Sequence, residues 1–309
     1  MNLDMGGGVL SPAEEQVLAR AVDAAPSVLN TRPWRLHVDG DVVDLHADPA
    51  RRLEVMDPRG REQTISCGAA LMNLRLAAAH LGREPVVESF PDPEDPTLLA
   101  RVRLDREHRP TREEERLYAA IPTRHTDRRP FREERLPAQT VALLEDAASA
   151  EGGILRILIR EELPAMLQVA RAAQERYRAD PALRAELARW VGGTRGREYG
   201  IPAFELGPRS GDPLAPVRDF DPSGGIPRGE ADFEREPNLA LLSTFYDEPA
   251  DWLRAGQAMQ RVLLLATDLG LSTSLLTHPL ELADLRQWVR DPSLITGYPQ
   301  VILRLGHPR

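Results

Sequence analysis

Cys67-Gly-Ala-Ala-Leu-Met-Asn-Leu-Arg-Leu-Ala-Ala-Ala-His-Leu-Gly82 and Ala255-Gly-Gln-Ala-Met-Gln-Arg-Val-Leu-Leu-Leu-Ala-Thr-Asp-Leu-Gly270 can be laid on one another without a gap. Gly68/Gly256, Ala70/Ala258, Leu76/Leu264, Ala78/Ala266, Leu81/Leu269 and Gly82/Gly270 are identical pairs. Each stretch is apolar almost all round, as a helix buried in a core is, and each stops at a Leu-Gly step that supplies a C′ glycine. Chance likeness between two Ala- and Leu-rich helices is the competing reading. The sharper one is two copies of a single α+β unit, each sending an apolar helix into a shared core. A period this long does not build a solenoid; it reads as a fused dimer.

Working outward, Ser11-Pro12-Ala13-Glu14 opens a helix over 12–24, with an N-cap serine, proline at N1 and glutamate at N3. Trp34-Arg35-Leu36-His37-Val38 alternates, turns at Asp39-Gly40 and resumes as Val42-Val43-Asp44-Leu45, a hairpin signature. The pattern then predicts a helix over 67–81 and a strand over 98–104. A capping box at Thr111 opens another helix, and a further one covers 137–148. A strand over 154–159 follows, then helices over 162–179 and on to 190. From 192 to 229 Gly and Pro recur and no period survives, which marks a long excursion of the lid or binding-loop kind. Helices over 251–269 and 280–289 and a closing strand over 300–305 complete the pattern. The chain divides into a first half, 1–110, and a second half, 111–309, with the lid in 192–240.

All 39 basic residues of the 309 are arginine. Without lysine there is no internal Schiff base and no phosphate loop ending in Gly-Lys-Ser/Thr. An anion must be held by Arg, His or backbone N–H groups. The net charge of −9 argues against a nucleic-acid partner. Cys67 stands alone, so no internal disulfide forms and no metal site is expected. No apolar run approaches a membrane span, and the start, with Asp4 and no basic region, does not read as a secretory signal. A cytoplasmic protein is expected.

Two segments carry candidate chemistry. Ala25-Pro26-Ser27-Val28-Leu29-Asn30-Thr31-Arg32-Pro33-Trp34 offers small hydrogen-bonding side chains between helix and hairpin, although turn residues satisfying their own backbone would look the same. Ile121-Pro-Thr-Arg124-His125-Thr126-Asp127-Arg128-Arg129-Pro130-Phe131 gathers arginine forks and a hydroxyl suited to phosphate or a polyhydroxyl chain. A solvated loop paired with the nearby glutamates, Glu113 to Glu115, Glu133 and Glu134, is the alternative there. No Gly-x-Ser-x-Gly, His-Glu-x-x-His or Gly-x-Gly-x-x-Gly is present to support hydrolase, zinc or dinucleotide-fold chemistry.

Ala-Pro-Ser-x-x-Asn-Thr-x-Pro-Trp, Asp57-Pro-Arg-Gly-Arg-Glu-Gln, the Cys67 stretch, Arg-x-Thr-x-Arg-x-Pro-Phe, Gly200-Ile201-Pro202, Val217-Arg218-Asp219-Phe220 and Gly256-Gln257-Ala258-Met259-Gln260 together resemble the Acg family of the flavin-dependent nitroreductase-like superfamily. The resemblance implies a nitroreductase-like fold duplicated in one chain, an internal pseudo-dimer with one composite FMN site and a lid. It carries the phosphate-binding motif onto Arg124, His125, Thr126 and Arg128, and the flavin-contacting Pro-Ser-x-x-Asn onto Pro26, Ser27 and Asn30. It also carries the backbone near the flavin ring onto Leu271, Ser272 and Thr273, and leaves Arg309 as the expected last phosphate contact. Arg32 departs from the family's usual Gln at that place.

The implied activity is an FMN-dependent oxidoreductase taking hydride from NADPH or NADH and passing electrons to a small organic acceptor, such as a nitroaromatic, a quinone or a pathway intermediate. The hydride chemistry belongs to the cofactor, so no catalytic side chain is assigned. The rival is an FMN-sequestering storage protein whose lid blocks nicotinamide. A scaffold that has lost flavin is a third reading.

Overall fold

Two four-stranded antiparallel sheets flank the pair of long helices that the repeat foretold. The computed structural model describes residues 8–193, 198–290 and 297–309. Residues 194–197 of the irregular excursion and 1–7 of the chain start lie outside the described residues. In chain order the elements are α1 (Pro12–Asp23), β1 (Trp34–Asp39), β2 (Val42–Ala47), α2 (Arg61–His80), β3 (Val86–Ser89), β4 (Leu98–Arg103) and α3 (Arg112–Ala120). Then come α4 (Ala138–Ala150), β5 (Ile154–Ile157), α5 (Leu163–Ala179), α6 (Pro181–Trp190), β6 (Val191–Gly193) and β7 (Ile201–Pro202). The chain finishes with β8 (Asn238–Thr244), α7 (Pro249–Asp268), β9 (Ser272–Leu275), α8 (Ala283–Val289) and β10 (Tyr298–Gly306).

The first sheet runs β1-β2-β4-β3 and the second β5-β8-β10-β9. Each four-stranded sheet has two strands before its long helix and two after it, and places them in the order first, second, fourth, third. The connections differ: α8 lies between β9 and β10, where β3 passes to β4 without a helix. Between β1 and β2 the chain turns tightly at Gly40, whose φ of 65° suits a residue without Cβ. Between β5 and β8 it instead makes α5, α6 and the irregular excursion.

The long helices α2 and α7 are both 20 residues, and they begin and end at equivalent places in the repeat. Their crossing is reciprocal. A Cβ on Gly68 would lie 2.2 Å from the Leu253 carbonyl oxygen and 2.9 Å from the Gly256 Cα. One on Gly256 would lie 2.0 Å from the Ile65 carbonyl oxygen and 2.8 Å from the Gly68 Cα. Ile65 and Leu253 are themselves aligned in the repeat, so each helix offers the other the same patch, as the partners of a two-fold dimer do. Glycine lets the backbones touch, and around the crossing the core is continuous from Leu18 and Val43 on one side to Leu242 and Leu303 on the other.

Both capping boxes predicted from sequence are formed, at Ser11/Glu14 and Thr111/Glu114. Helix α2 starts six residues before the expected 67, because Gly60 turns in a left-handed conformation at the N-cap and the Asp57 carboxylate accepts the Gln63 N–H at 2.8 Å. Strands β3, β6, β7, β8 and β9 lie where the sequence pattern predicts none. Among the described residues no helix is long and apolar enough to cross a membrane.

Candidate functional site: an arginine-lined cavity

The cationic segment after α3 is tied down at both ends. The Arg124 N–H donates to the Ala120 carbonyl at 2.9 Å, and the Asp127 N–H to the Thr273 carbonyl at 2.8 Å, which sets Thr126 alongside Thr273 of β9. Buried Asp127 then engages the Arg129 guanidinium at 2.9 Å through each oxygen and accepts the Ser272 hydroxyl at 3.2 Å. With that acid committed, Arg124 and Arg128 form no ion pair among the described residues. Arg128 donates to the Glu205 carbonyl at 2.8 Å and lies over the Phe220 ring. Arg124 makes only a long 3.5 Å bond to the Ala24 carbonyl, while its Nε and Nη1 are buried with no hydrogen-bond partner among the described residues. Burial, then the neighbouring Arg128, pulls Arg124 down to about 10, and burial pulls Arg128 to about 10 as well. Both stay cationic at neutral pH. A buried cation without a counter-charge is costly unless something supplies one.

The loop after α1 forms the facing wall. Leu29, Asn30 and Arg32 all have positive φ, at 47°, 53° and 45°. Non-glycine residues take that region at a cost of about 1–2 kcal/mol each, and such strain gathers at functional sites. Side chains hold it in place. The Ser27 hydroxyl accepts the Arg32 N–H at 2.9 Å, and the Ser66 hydroxyl on α2 accepts the Val28 N–H at 3.1 Å.

Between these walls lies a cavity of about 660 Å³. Pro26, Ser27, Asn30, Arg124, His125, Thr126 and Arg128 all line it, so the two segments singled out in the sequence meet at one place although about a hundred positions separate them. The irregular excursion closes a third side with Ile201, Phe204, Glu205, Arg218 and Phe220. It is fastened to the strained loop: Asn30 Nδ2 donates to the Gly200 carbonyl at 2.8 Å, and the Gly200 N–H donates back to the Asn30 carbonyl at 3.0 Å. Beside this clasp, Arg51 stacks on the Tyr199 ring and donates to its hydroxyl at 2.7 Å.

The chain is 37% identical over 301 residues to "Putative NAD(P)H nitroreductase Rv3131" of Mycobacterium tuberculosis, covering 94% of this chain and 83% of that one. It is 33% identical over 284 residues to "Putative NAD(P)H nitroreductase acg" of the same organism, covering 91% and 85%. The chain belongs to this Acg-type nitroreductase-like family. No family model matches it. Among solved structures it is similar to a nitroreductase with bound FMN from Bacteroides fragilis, at 14% identity and a TM-score of 0.37 over 62% of this chain and 88% of that one.

The remaining residues expected from the Acg resemblance sit elsewhere. Leu271, Ser272 and Thr273 are not in the cavity wall; Ser272 and Thr273 anchor the cationic segment from behind, and Leu275 and Thr277 further along are the residues that line the cavity. Arg309 is also outside the wall, its side chain donating to the Phe131 and Asp232 carbonyls at 2.8 and 3.0 Å. Asn30 lines the cavity with its amide already given to Gly200.

Sequence reasoning passed over Glu281, whose carboxylate forms a double ion pair with Arg218 at 2.6 and 3.1 Å and accepts the Tyr177 hydroxyl. Behind it His278 is buried, with Nε2 at 3.0 Å from the Ala170 carbonyl. Burial, then Arg218, pushes its pKa down to about 3 from 6.5. The unfolded chain takes up a proton below about 6.5 while the fold does not, so His278 makes stability fall as pH falls toward 3. Raised Asp57 and Glu62, held near 6 and 7 chiefly by burial, act in the opposite sense, since the fold keeps their protons. His278→Gln should therefore lose about 2 kcal/mol less than the parent between pH 6.5 and 4.5. Urea midpoints at the two pH values measure this, and equal losses would exclude a neutral buried His278.

Proposed function

We propose that this Acg-type chain binds FMN in the arginine-lined cavity and works as an FMN-dependent NAD(P)H oxidoreductase on a small organic acceptor, a nitroaromatic, a quinone or a pathway intermediate. The observation that carries the reading is Arg124, a guanidinium with two buried, unpartnered nitrogens at the wall of a large cavity in a member of this family. A phosphate is the fork-shaped counter-charge it lacks. Arg128, Thr126 and His125 line the same cavity from its segment, and Pro26 and Ser27 from the loop after α1. FMN would supply the hydride chemistry, so the residues need only bind, orient and shield. Leu271, Ser272 and Thr273 enter this reading as supports of the phosphate-binding segment, and Arg309 as a support of its far end.

The same geometry supports an internal pseudo-dimer. The reciprocal Gly68–Gly256 crossing and the matched sheet orders make one chain do what two subunits otherwise do, and the divergent connection in the second half, within 192–240, becomes the lid. The boundary near 110 falls just before α3, between the two units.

The protein should be yellow as purified, and NADPH or NADH added without oxygen should bleach it within seconds. Arg124→Ala should weaken FMN binding by about tenfold to a hundredfold, the range of a lost charge-assisted pair. Equilibrium dialysis against FMN reads the change, and unchanged affinity overturns the phosphate assignment.

The clasp favours a second reading. Asn30, Gly200, Arg51 and Tyr199 hold the excursion over the cavity, as a storage protein that keeps nicotinamide out requires. Colour that persists under NADPH and NADH yet bleaches at once with dithionite selects that reading.

A further inference from the structure

We propose that Arg32 binds the oxyanion of the second molecule that enters the cavity, and so makes the site prefer an anionic reactant. The inference rests on the FMN reading and adds to it a second anion-binding position. Arg32 lines the cavity, and its Nε is buried with no hydrogen-bond partner among the described residues. Asp48, a neighbouring acid, is shared between Arg35 at 3.7 Å and Arg51 at 3.4 Å, and Arg32 forms no ion pair among the described residues.

Its backbone is fixed on both sides. The N–H donates to the Ser27 hydroxyl at 2.9 Å, and the carbonyl accepts Arg51 Nη1 at 2.7 Å and the Trp34 N–H at 2.9 Å. These bonds hold a left-handed φ of 45° that an arginine does not adopt for its own sake. The guanidinium is thereby presented from a rigid support, without a carboxylate to neutralise it.

Arg32 is also separate from the phosphate-binding pair. Arg124 reaches Ala24, at the start of the strained loop, whereas Arg32 stands at its end, beside the Tyr199–Gly200 clasp. Arg124 and Arg32, contacting or occupying the two sequence ends of one loop, both line the cavity without an ion pair among the described residues, and two such guanidinium groups match two anions, one on FMN and one on its reaction partner. Leu29, Ile201 and Phe220 give the space between an apolar wall, suited to a flat ring carrying a carboxylate or to a nucleotide carrying a phosphate monoester.

The test uses FMN-loaded protein and reads binding from the perturbation of flavin absorbance, so it does not depend on turnover. One arm compares 4-nitrobenzoate with 4-nitrobenzyl alcohol; the other compares adenosine 2′,5′-bisphosphate with AMP. The parent should prefer the more anionic member of one pair by about tenfold or more, Arg32→Gln should abolish that preference, and Arg32→Lys should keep most of it. A shift in the first pair places the oxyanion on the acceptor, and a shift in the second places it on the 2′-phosphate of NADPH. Ratios unmoved by Arg32→Gln in a protein that stays yellow overturn the proposal alone, as does loss of FMN itself from that variant, which would assign Arg32 to the flavin. A colourless parent overturns the FMN reading and this inference with it.

Discussion

Gly68→Ala should lower folding stability by about 3 kcal/mol, at the upper end of what overpacking a core costs, and Gly256→Ala should lower it by a similar amount. The added methyl would sit 2.2 Å or 2.0 Å from a backbone carbonyl oxygen of the other long helix. A backbone cannot swing aside as a side chain can, so the helices must separate, and the core on both sides opens with them. Because the two glycines meet each other, room made for one methyl partly serves the second. The double variant should therefore cost clearly less than the two single changes added together. Urea unfolding followed by circular dichroism gives all three values. Strictly additive losses, or a large loss at one glycine and none at the other, would contradict a reciprocal crossing.

That crossing was the part of the molecule most legible in the sequence, since a gapless match between two apolar helices carries length, register and burial together. The five strands legible as alternating or β-branched runs, β1, β2, β4, β5 and β10, are marked in the sequence by one face or by a turn. Strand β8 was missed for a physical reason: Asn238–Thr244 is buried at every position, so no alternation betrays it. The first turns of α2 were missed because Arg61, Glu62, Gln63 and Thr64 look like surface residues. They are buried, with Arg61 donating to the Gln300 and Leu280 carbonyls and Gln63 to that of Asp48. Burial of polar residues depends on partners more than 200 positions away for Arg61, and hydropathy holds no trace of such partners.

The site was legible in the same uneven way. Arg124, Thr126, Arg128, Pro26 and Ser27 could be proposed because short motifs named them, and the structure brings them to one cavity. The alternative of a solvated loop paired with glutamates does not describe Arg124 and Arg128, which form no ion pair among the described residues, while Glu113, Glu114 and Glu115 engage Arg261, His108 and His80 and Glu133 accepts the Arg235 and Glu236 N–H groups. The Arg218–Glu281 pair had no such signal. Arg218 stands in a recognised motif, but its acid lies 63 positions on, in a short 3-10 turn with no pattern of its own.

That pair carries the other large effect. Glu281→Ala should cost about 3–5 kcal/mol, the range for removing one partner of a buried ion pair. Arg218 and Glu281 are almost wholly enclosed, with side-chain exposures of 7% and 2%, so the guanidinium would lose its counter-charge in a largely desolvated place. Burial alone would raise the carboxyl, yet Arg218 and the Tyr177 hydroxyl hold Glu281 below its ordinary value, so it is charged at neutral pH and the pair is a true one. Removing the acid leaves a guanidinium stranded between the Tyr177 and Phe220 rings. The damage should also be directional. Arg218 belongs to the excursion over the cavity and Glu281 to the body beneath it, so hydrogen exchange should rise first across 199–220, ahead of the sheets. Replacing both members, Arg218→Met with Glu281→Leu, should recover most of the lost stability, because a buried pair offsets its own desolvation and little more. A double variant as unstable as Glu281→Ala would mean that the pair contributes beyond cancelling its burial, and that the excursion is held down mainly by charge and not by the clasp at Asn30.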